Sequence, residues 1–220
     1  MAIVAMVLTV ALQAAARPPA GNPCVTPSAP RAAARLIPVD QAATQPDFFT
    51  FRARLQTAIA GREEAALLAA VDPAIKLSLG DDGIEELKKQ LRDPTGTMWT
   101  ALASALALGG RFSSATTFTA PYVFATWPDG PDSFECVAVI GERVRVRRTA
   151  EADSAVVGSV SYEIVQVLPA AREGGLVHVR LANGVSGFIA PAFVRSPIDR
   201  RAIFERAGGR WVLRAFVAGD

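Results

Sequence analysis

The C-terminal stretch 201–217, RAIFERAGGRWVLRAFV, is the part of the sequence that decides the predicted domain organisation. Two runs of strand-forming residues flank the link AGG (207–209), and glycine in such a short link is typical of a β-hairpin. The second run, 211–217, carries aromatic and aliphatic residues on both faces, as a strand buried on both sides would. We predict that this hairpin, within 199–220, pairs with the extended segment 112–127 and completes a first domain. Packing on the module that precedes the hairpin is the alternative.

Residues 47–130 form the predicted first domain, which we expect to be rich in helix. The first helix is marked by apolar residues at three- and four-residue spacing, with Asp47 as its N-cap: Phe48, Phe51, Leu55 and Ile59. Helical composition continues over 65–71, 83–91 and 98–108. The segment 75–80 alternates apolar and polar residues and fits either a short strand or a connector.

Between the first domain and the hairpin lies 137–195, a series of short alternating segments separated by turns. Val144 and Val146 alternate with arginines, and Asn183-Gly184 is a strong hairpin signal. Five short strands within about 60 residues predict a small barrel inserted between 47–130 and the hairpin.

This module resembles the bacterial SH3 domain family of cell-envelope proteins. The resemblance lies in VRVRRTAEADSAVVGSV (144–160) and LVHVRLANGVSGFIAPAFV (176–194). It implies an SH3-like barrel that binds cell-wall peptides or serves in targeting and docking. The chain departs from the family at Leu176, where members often have Trp, and at Phe188, where they often have Trp or Tyr. The whole of 47–220 also resembles secreted bacterial proteins in which a helical domain precedes such a barrel. The predicted fold class is therefore α+β, an N-terminal helix-rich domain plus a small SH3-like β-barrel.

The N-terminus has the pattern of a targeting segment. Residues 1–16, MAIVAMVLTVALQAAA, have the apolar length of a signal-peptide core and end in small residues suited to cleavage. A buried apolar helix is the alternative, although the prolines at 18–19 would end it. Residues 17–46 are rich in Ala, Pro and Arg without a period, which predicts a flexible leader. We expect a periplasmic or secreted protein with no transmembrane span in its mature chain.

Composition narrows the function classes further. The 220 residues include 23 Lys and Arg against 21 Asp and Glu, a net charge of +2 that is too small for a dedicated nucleic-acid binder. One histidine and two cysteines cannot form a His-rich or Cys-rich metal site, so no metal and no cofactor are predicted. The acidic cluster at 81–86 fits a solvated helix N-terminus better than a calcium loop. Cys24 and Cys136 predict a disulfide in an exported chain, with two free thiols as the alternative.

Catalysis would depend on His178, the single imidazole of the chain. The candidate nucleophile for a cysteine peptidase with this histidine is Cys136. That cysteine lies in a strand pattern and not at a helix N-terminus, where a thiolate is stabilised. We therefore predict that the protein is not an enzyme and has no catalytic residue.

The predicted function is non-catalytic binding or scaffolding at the bacterial cell envelope, with a cell-wall peptide or an envelope protein as partner. The predicted binding residues are aromatic and basic residues of the barrel: Tyr162, Phe188, Phe193, Arg145 and Arg147. Phe188 fits a ligand contact and the barrel core equally well. One alternative is an accessory or catalytic cell-wall peptidase or hydrolase. Another is a periplasmic assembly partner that acts through the helical domain.

Overall fold

The computed structural model describes residues 22–24, 34–78, 80, 82–151, 153–173 and 175–219, with the backbone alone for 170–173. The predicted signal peptide, 1–16, lies outside the described residues. The α-helices are α1 (Pro46–Ala60), α2 (Glu64–Ala69), α3 (Ile84–Leu91), α4 (Thr97–Ala107) and α5 (Tyr122–Ala125). The strands are β1 (Val71–Lys76), β2 (Arg111–Ser114), β3 (Thr117–Ala120), β4 (Cys136–Val139), β5 (Val144–Arg147), β6 (Val156–Val160), β7 (Ile164–Glu173), β8 (Leu176–Arg180), β9 (Ser186–Ile189), β10 (Val194–Arg195), β11 (Arg201–Ala207) and β12 (Arg210–Val217). Short 3-10 turns occupy Ala42–Thr44 and Pro191–Phe193.

The first sheet has five strands in the order β1-β12-β11-β3-β2, so the C-terminal hairpin supplies two of its interior strands. β11 pairs antiparallel with β3, with Phe204 opposite Phe118, as predicted for the hairpin and 112–127. β1 pairs parallel with β12. The hairpin turn has Gly208 and Gly209 at φ of 56° and 81°. Positive φ at both positions is what a two-residue turn between antiparallel strands requires.

The helices α1–α4 and this sheet share one apolar core, with Phe48 of α1 at its centre. The Phe48 ring centroid lies 4.4 Å from that of Phe118, 5.5 Å from that of Phe204 and 4.8 Å from that of Trp211. Aromatic rings at these separations stabilise a core beyond the area that they bury. The predicted apolar stripe of α1 therefore packs on the hairpin, although the helix begins at Pro46 with Gln45 as its N-cap in place of Asp47.

The second sheet has seven strands in the order β10-β4-β7-β8-β9-β5-β6 and lies, in sequence, between β3 and β11. Its core consists mainly of valines on one face of the strands, among them Val146 and Val179. In the described residues β6 and β10 stand at opposite edges and do not pair with each other. The sheet is therefore open.

The predicted fold class, a helix-rich N-terminal domain plus a small SH3-like barrel, is wrong. The described residues form two β-sheets with twelve strands and only five α-helices, and neither sheet closes into a barrel. The helices of 47–130 bury their apolar stripes on a sheet half of which comes from the C-terminal hairpin. Both parts of the described chain are thus built on a β-sheet.

Residues 34–46 were predicted to belong to a flexible leader, and that prediction is wrong for this part of the chain. The Leu36 N–H donates to the Tyr162 carbonyl at 2.7 Å, and the Ile164 N–H donates to the Ala34 carbonyl at 2.9 Å. The Arg52 guanidinium binds both carboxylate oxygens of Asp40, at 2.8 and 2.6 Å. We call residues 34–40 the strap, because they run from the second sheet to α1.

A third apolar cluster joins the strap to α5 and to the second sheet. It contains Leu36 from the strap, Tyr122 from α5 and Ile164 from β7, together with the disulfide-bonded Cys24 and Cys136. The Tyr122 hydroxyl is buried and has no hydrogen-bond partner among the described residues. Burial, with a smaller effect of Tyr162, raises the pKa of Tyr122 to about 12. The cluster therefore buries this hydroxyl without giving it a hydrogen bond.

Replacing Tyr122 by Phe is expected to raise the free energy of unfolding by about 1 kcal/mol, because an unsatisfied buried hydroxyl costs about 1–3 kcal/mol. The pKa is raised on folding from 10.0 to about 12. The unfolded state therefore loses its proton first, and the stability of the wild type declines as the pH rises between these values. Chemical denaturation at neutral and alkaline pH measures both effects. The control is Tyr162→Phe, and equal effects of the two variants would contradict the prediction.

Candidate binding site on the second sheet

The second sheet carries a pocket of about 360 Å³ beside strand β5. We call it the β5 pocket. Its lining residues come from β5, β8 and β9, and from the segments that flank β5 and follow β9: Glu142, Arg143, Val144, Arg145, Arg147, Leu176, Phe188, Ala190 and Phe193. Four of the five predicted binding residues are among them. The volume lies within the range of small-molecule and peptide-side-chain sites.

Strand β5 supplies the basic side of the pocket, because valines and arginines alternate along it. Val144 and Val146 are buried in the core of the sheet, whereas Arg145 is exposed and Arg147 half-buried on the other face. Successive side chains of a strand point to opposite faces, so the valines fix the direction of the arginines. The two predicted arginines therefore share one face of β5 and line the same pocket.

Phe188 of β9 lies directly opposite Arg147 in the β5–β9 pairing. Its ring stacks on the imidazole of His178 from β8, with centroids 4.5 Å apart and an interplanar angle of 7°. The preceding Gly187 permits this arrangement, because a Cβ there would clash with the Arg147 carbonyl and would lie 2.8 Å from Val146. Phe188 is thus a fixed wall of the β5 pocket, and it is not a member of the valine core.

Phe193 closes the pocket from the 3-10 turn that precedes β10. Its side chain is 47% exposed, and its carbonyl accepts the Ile140 N–H at 2.9 Å. The backbone is therefore fixed while the ring stays accessible. An anchored backbone with an exposed ring is suited to contacting a ligand at little conformational cost.

The charges in the β5 pocket are unbalanced. Three arginines and one glutamate line it, a formal balance of +2. The Arg147 guanidinium donates to the Ser154 carbonyl at 2.8 Å. Among the described side chains, Arg143, Arg145 and Arg147 form no ion pair with a carboxylate. The pocket can therefore offer guanidinium donors to an anion.

Tyr162, the fifth predicted binding residue, does not line the β5 pocket. It lies in the turn between β6 and β7 with φ of 55°, and it is half-buried. Its N–H donates to the Gly141 carbonyl at 3.1 Å and its carbonyl accepts the Leu36 N–H. The structure pairs the Tyr162 backbone with the strap and with Gly141, and Tyr162 is not part of the pocket lining.

Glu142 and Ala190 line the pocket but carry no signal in the sequence that predicts binding, whereas Arg143 belongs to the basic edge formed with Arg145, Arg147 and Arg148. Leu176 was noted only as a departure from a family pattern, but it lines the β5 pocket. The register of β8 and β9 pairs Val177 with Ile189 and so brings the residues beside them to the pocket. Arg143 precedes β5, and its φ of 48° departs from the extended backbone on which alternation depends.

Cys24 and Cys136 form a disulfide with their Cα atoms 5.8 Å apart, and both are almost completely buried. This pairing is the one predicted from the even cysteine count. A disulfide is compatible with a location outside the cytoplasm. The Cys136 sulfur is bonded to Cys24, and His178 stacks on Phe188.

Two further observations concern the described part of the chain. No group of three or more His, Cys, Asp or Glu side chains there is placed to hold a metal ion. No helix there has both the length and the apolar composition to cross a membrane.

No protein-family model matches this chain, and no curated protein matches it either. The resemblance to bacterial SH3 domains therefore stays a prediction from the residues that carry it.

Proposed function

We propose that this protein is a non-catalytic binding or scaffolding protein of the bacterial cell envelope, and that the β5 pocket is its ligand site. One observation carries the proposal. Arg143, Arg145 and Arg147 stand without a carboxylate partner among the described side chains, beside the rings of Phe188 and Phe193. Guanidinium groups bind carboxylates through paired, charge-assisted hydrogen bonds, and a ligand carboxylate would supply the missing partner.

The apolar side of the pocket limits the size and polarity of the rest of the ligand. Phe188, Leu176 and Ala190 offer a small apolar surface suited to short aliphatic side chains. We therefore propose a short peptide with a free carboxylate and small aliphatic residues, a description that fits cell-wall peptides. An acidic segment of an envelope protein has the same chemistry.

Two features support a periplasmic or secreted location. The pattern of 1–16 is that of a signal peptide, and the disulfide between Cys24 and Cys136 is compatible with an oxidising compartment outside the cytoplasm. Cell-wall peptides and envelope proteins are accessible from that compartment. The intact mass of the protein recovered from its host tests this, since export predicts a chain that begins near Arg17.

Replacing Arg145 by Gln is expected to weaken binding of a carboxylate peptide by about tenfold or more, because hydrogen bonds to charged groups contribute about 1.5–3 kcal/mol. Phe193→Ala should weaken it as well, without loss of stability, since that ring is largely exposed. Sedimentation with purified cell wall gives the first measurement. Calorimetric titration with short peptides, in free-acid and C-terminally amidated forms, gives the second.

Arg148→Gln is the matched control, because Arg148 is exposed next to Arg147 but does not line the β5 pocket. Equal losses in Arg145→Gln and Arg148→Gln would show diffuse attraction to anions and contradict a defined site. Equal affinity for acid and amide peptides would contradict the role of the carboxylate. Hydrolysis of cell wall by the wild type that disappears in Cys136→Ala/His178→Ala would contradict the non-catalytic function.

A further inference from the structure

A second and larger cavity lies in the first sheet, far in sequence from the β5 pocket. It is an open groove of about 720 Å³ between α1, α2 and the β11–β12 hairpin. We call it the hairpin groove. Its apolar surface comes from Phe51 and Leu55 of α1, Trp211 of β12, and the alanines at 66, 69 and 70. The small alanine side chains leave room between the larger rings.

The charged residues of the hairpin groove are one aspartate and three arginines. Asp47 is already occupied, since it accepts the Trp211 indole N–H at 3.2 Å and the Phe48 N–H at 2.9 Å, and lies 3.4 Å from the Arg206 guanidinium. Partial burial opposes its ionisation, but these hydrogen bonds and Arg206 lower the pKa of Asp47. The carboxylate therefore remains ionised and bound to its own neighbours.

Arg54 and Arg210 have no such partner. Both are exposed at the groove, and neither forms an ion pair or a side-chain hydrogen bond with any side chain in the described ranges. The groove thus combines a long apolar surface with two guanidinium groups whose charge is not compensated. That combination is complementary to an anionic group attached to an apolar chain.

The hydrogen-bonding groups at the groove favour an alkyl chain over a peptide. The Thr50 hydroxyl donates to the Pro46 carbonyl, and the Ala70 carbonyl accepts the Leu213 N–H. Much of the surrounding backbone is already paired, within α1 and along the ladder between β11 and β12. A peptide in this groove would leave its own N–H and C=O groups unpaired against apolar surface, at a cost in free energy. An alkyl chain has no such groups.

We propose that the hairpin groove binds a single-chain anionic amphiphile, with its carboxylate at Arg54 and Arg210 and its alkyl chain along Phe51, Trp211 and the alanines. The ligand class is a fatty carboxylate. This site is separate from the β5 pocket and does not depend on the function proposed for it.

Calorimetric titration of the full chain with octanoate, decanoate and dodecanoate, each below its micelle concentration, tests the proposal. Affinity should rise by up to about fourfold per added methylene until the groove is filled. Dodecanol, which lacks the charge, should bind at least about tenfold more weakly than dodecanoate. A photoreactive alkyl carboxylate should crosslink to α1, α2 or β12.

The double variant Arg54→Gln/Arg210→Gln should weaken dodecanoate binding by about tenfold or more. The control Arg148→Gln/Arg180→Gln has the same net charge and removes exposed arginines of the second sheet, so it should change binding by less than about twofold. Equal loss in both variants, equal affinity for dodecanol, or crosslinks confined to the second sheet would overturn the proposal. The proposal would also be overturned if the wild type were a dimer, the groove variant were a monomer and dodecanoate did not bind. A second copy of the chain would then occupy the groove.

Discussion

Deletion of residues 198–220 is expected to unfold the first sheet together with helices α1–α4. The deletion removes β11 and β12, which are interior strands, and leaves β1 without a partner. It also removes Phe204, Trp211 and Phe216, each at most 5% exposed in the shared core. Loss of one such side chain costs about 3–5 kcal/mol, so loss of all three costs about 9–15 kcal/mol, as much as the stability of about 5–15 kcal/mol that a domain has. The helical circular-dichroism signal and its thermal transition measure the effect.

Truncation after Val217 is the matched control, because it shortens the C-terminus but keeps both strands of the hairpin. That variant should unfold close to the wild-type temperature. A chain ending at Pro197 that retained the full helical signal and a cooperative transition would show that the hairpin is an appendage. Packing of 47–130 would then need another explanation.

Local periodicity predicted the helices and the hairpin, because both depend on residues close together in the chain. The apolar spacing around Phe48 and Leu55 predicted α1, and the glycines at 208–209 predicted the turn between β11 and β12. β1 was missed in part, since Asp72-Pro73 interrupts its alternation and its partner Leu213 lies far along the chain. Parallel pairing of that kind leaves little local signal.

The closed barrel was wrong for a related reason. Alternation along β5 shows that Val144 faces the core, but it does not show whether the two edge strands meet. In the described residues β6 and β10 remain at opposite edges of an open sheet. Closure depends on strand tilt and register across the whole sheet, and short sequence patterns do not determine these.

Four of the five predicted binding residues line one pocket, although the predicted fold class is wrong. Arg145 and Arg147 followed from alternation, which holds in an open sheet as well as in a barrel. Leu176 was missed because its position suggested an absent tryptophan, whereas its contact with the pocket follows from the β8–β9 register. Tyr162 does not line this pocket, because its turn, with positive φ, pairs with the strap, and no local pattern in 34–40 predicts that pairing.

Reduction of the Cys24–Cys136 disulfide is expected to lower the free energy of unfolding by about 4–5 kcal/mol, because the bond closes a loop with a sequence separation of 112 residues. In the chain-entropy model, opening so long a loop increases the freedom of the unfolded state. The folded state loses order as well, since Cys24 fixes the start of the chain beside Leu36 and Ile164 in the third cluster. Denaturant titration of oxidised and reduced wild-type protein measures the difference on one sequence.

Cys24→Ala/Cys136→Ala provides the control for the reductant. It should match the reduced wild type, and its unfolding midpoint should not change when reductant is added. Hydrogen exchange should show faster exchange of the Leu36 and Ile164 N–H groups, because both bond across the strap contact. Equal midpoints for oxidised and reduced wild type, with unchanged exchange at these two amides, would mean that the bond contributes nothing to the order of the strap. The apolar contacts of Leu36, the backbone bonds of the strap and the ion pair of Arg52 with Asp40 would then hold it without the disulfide.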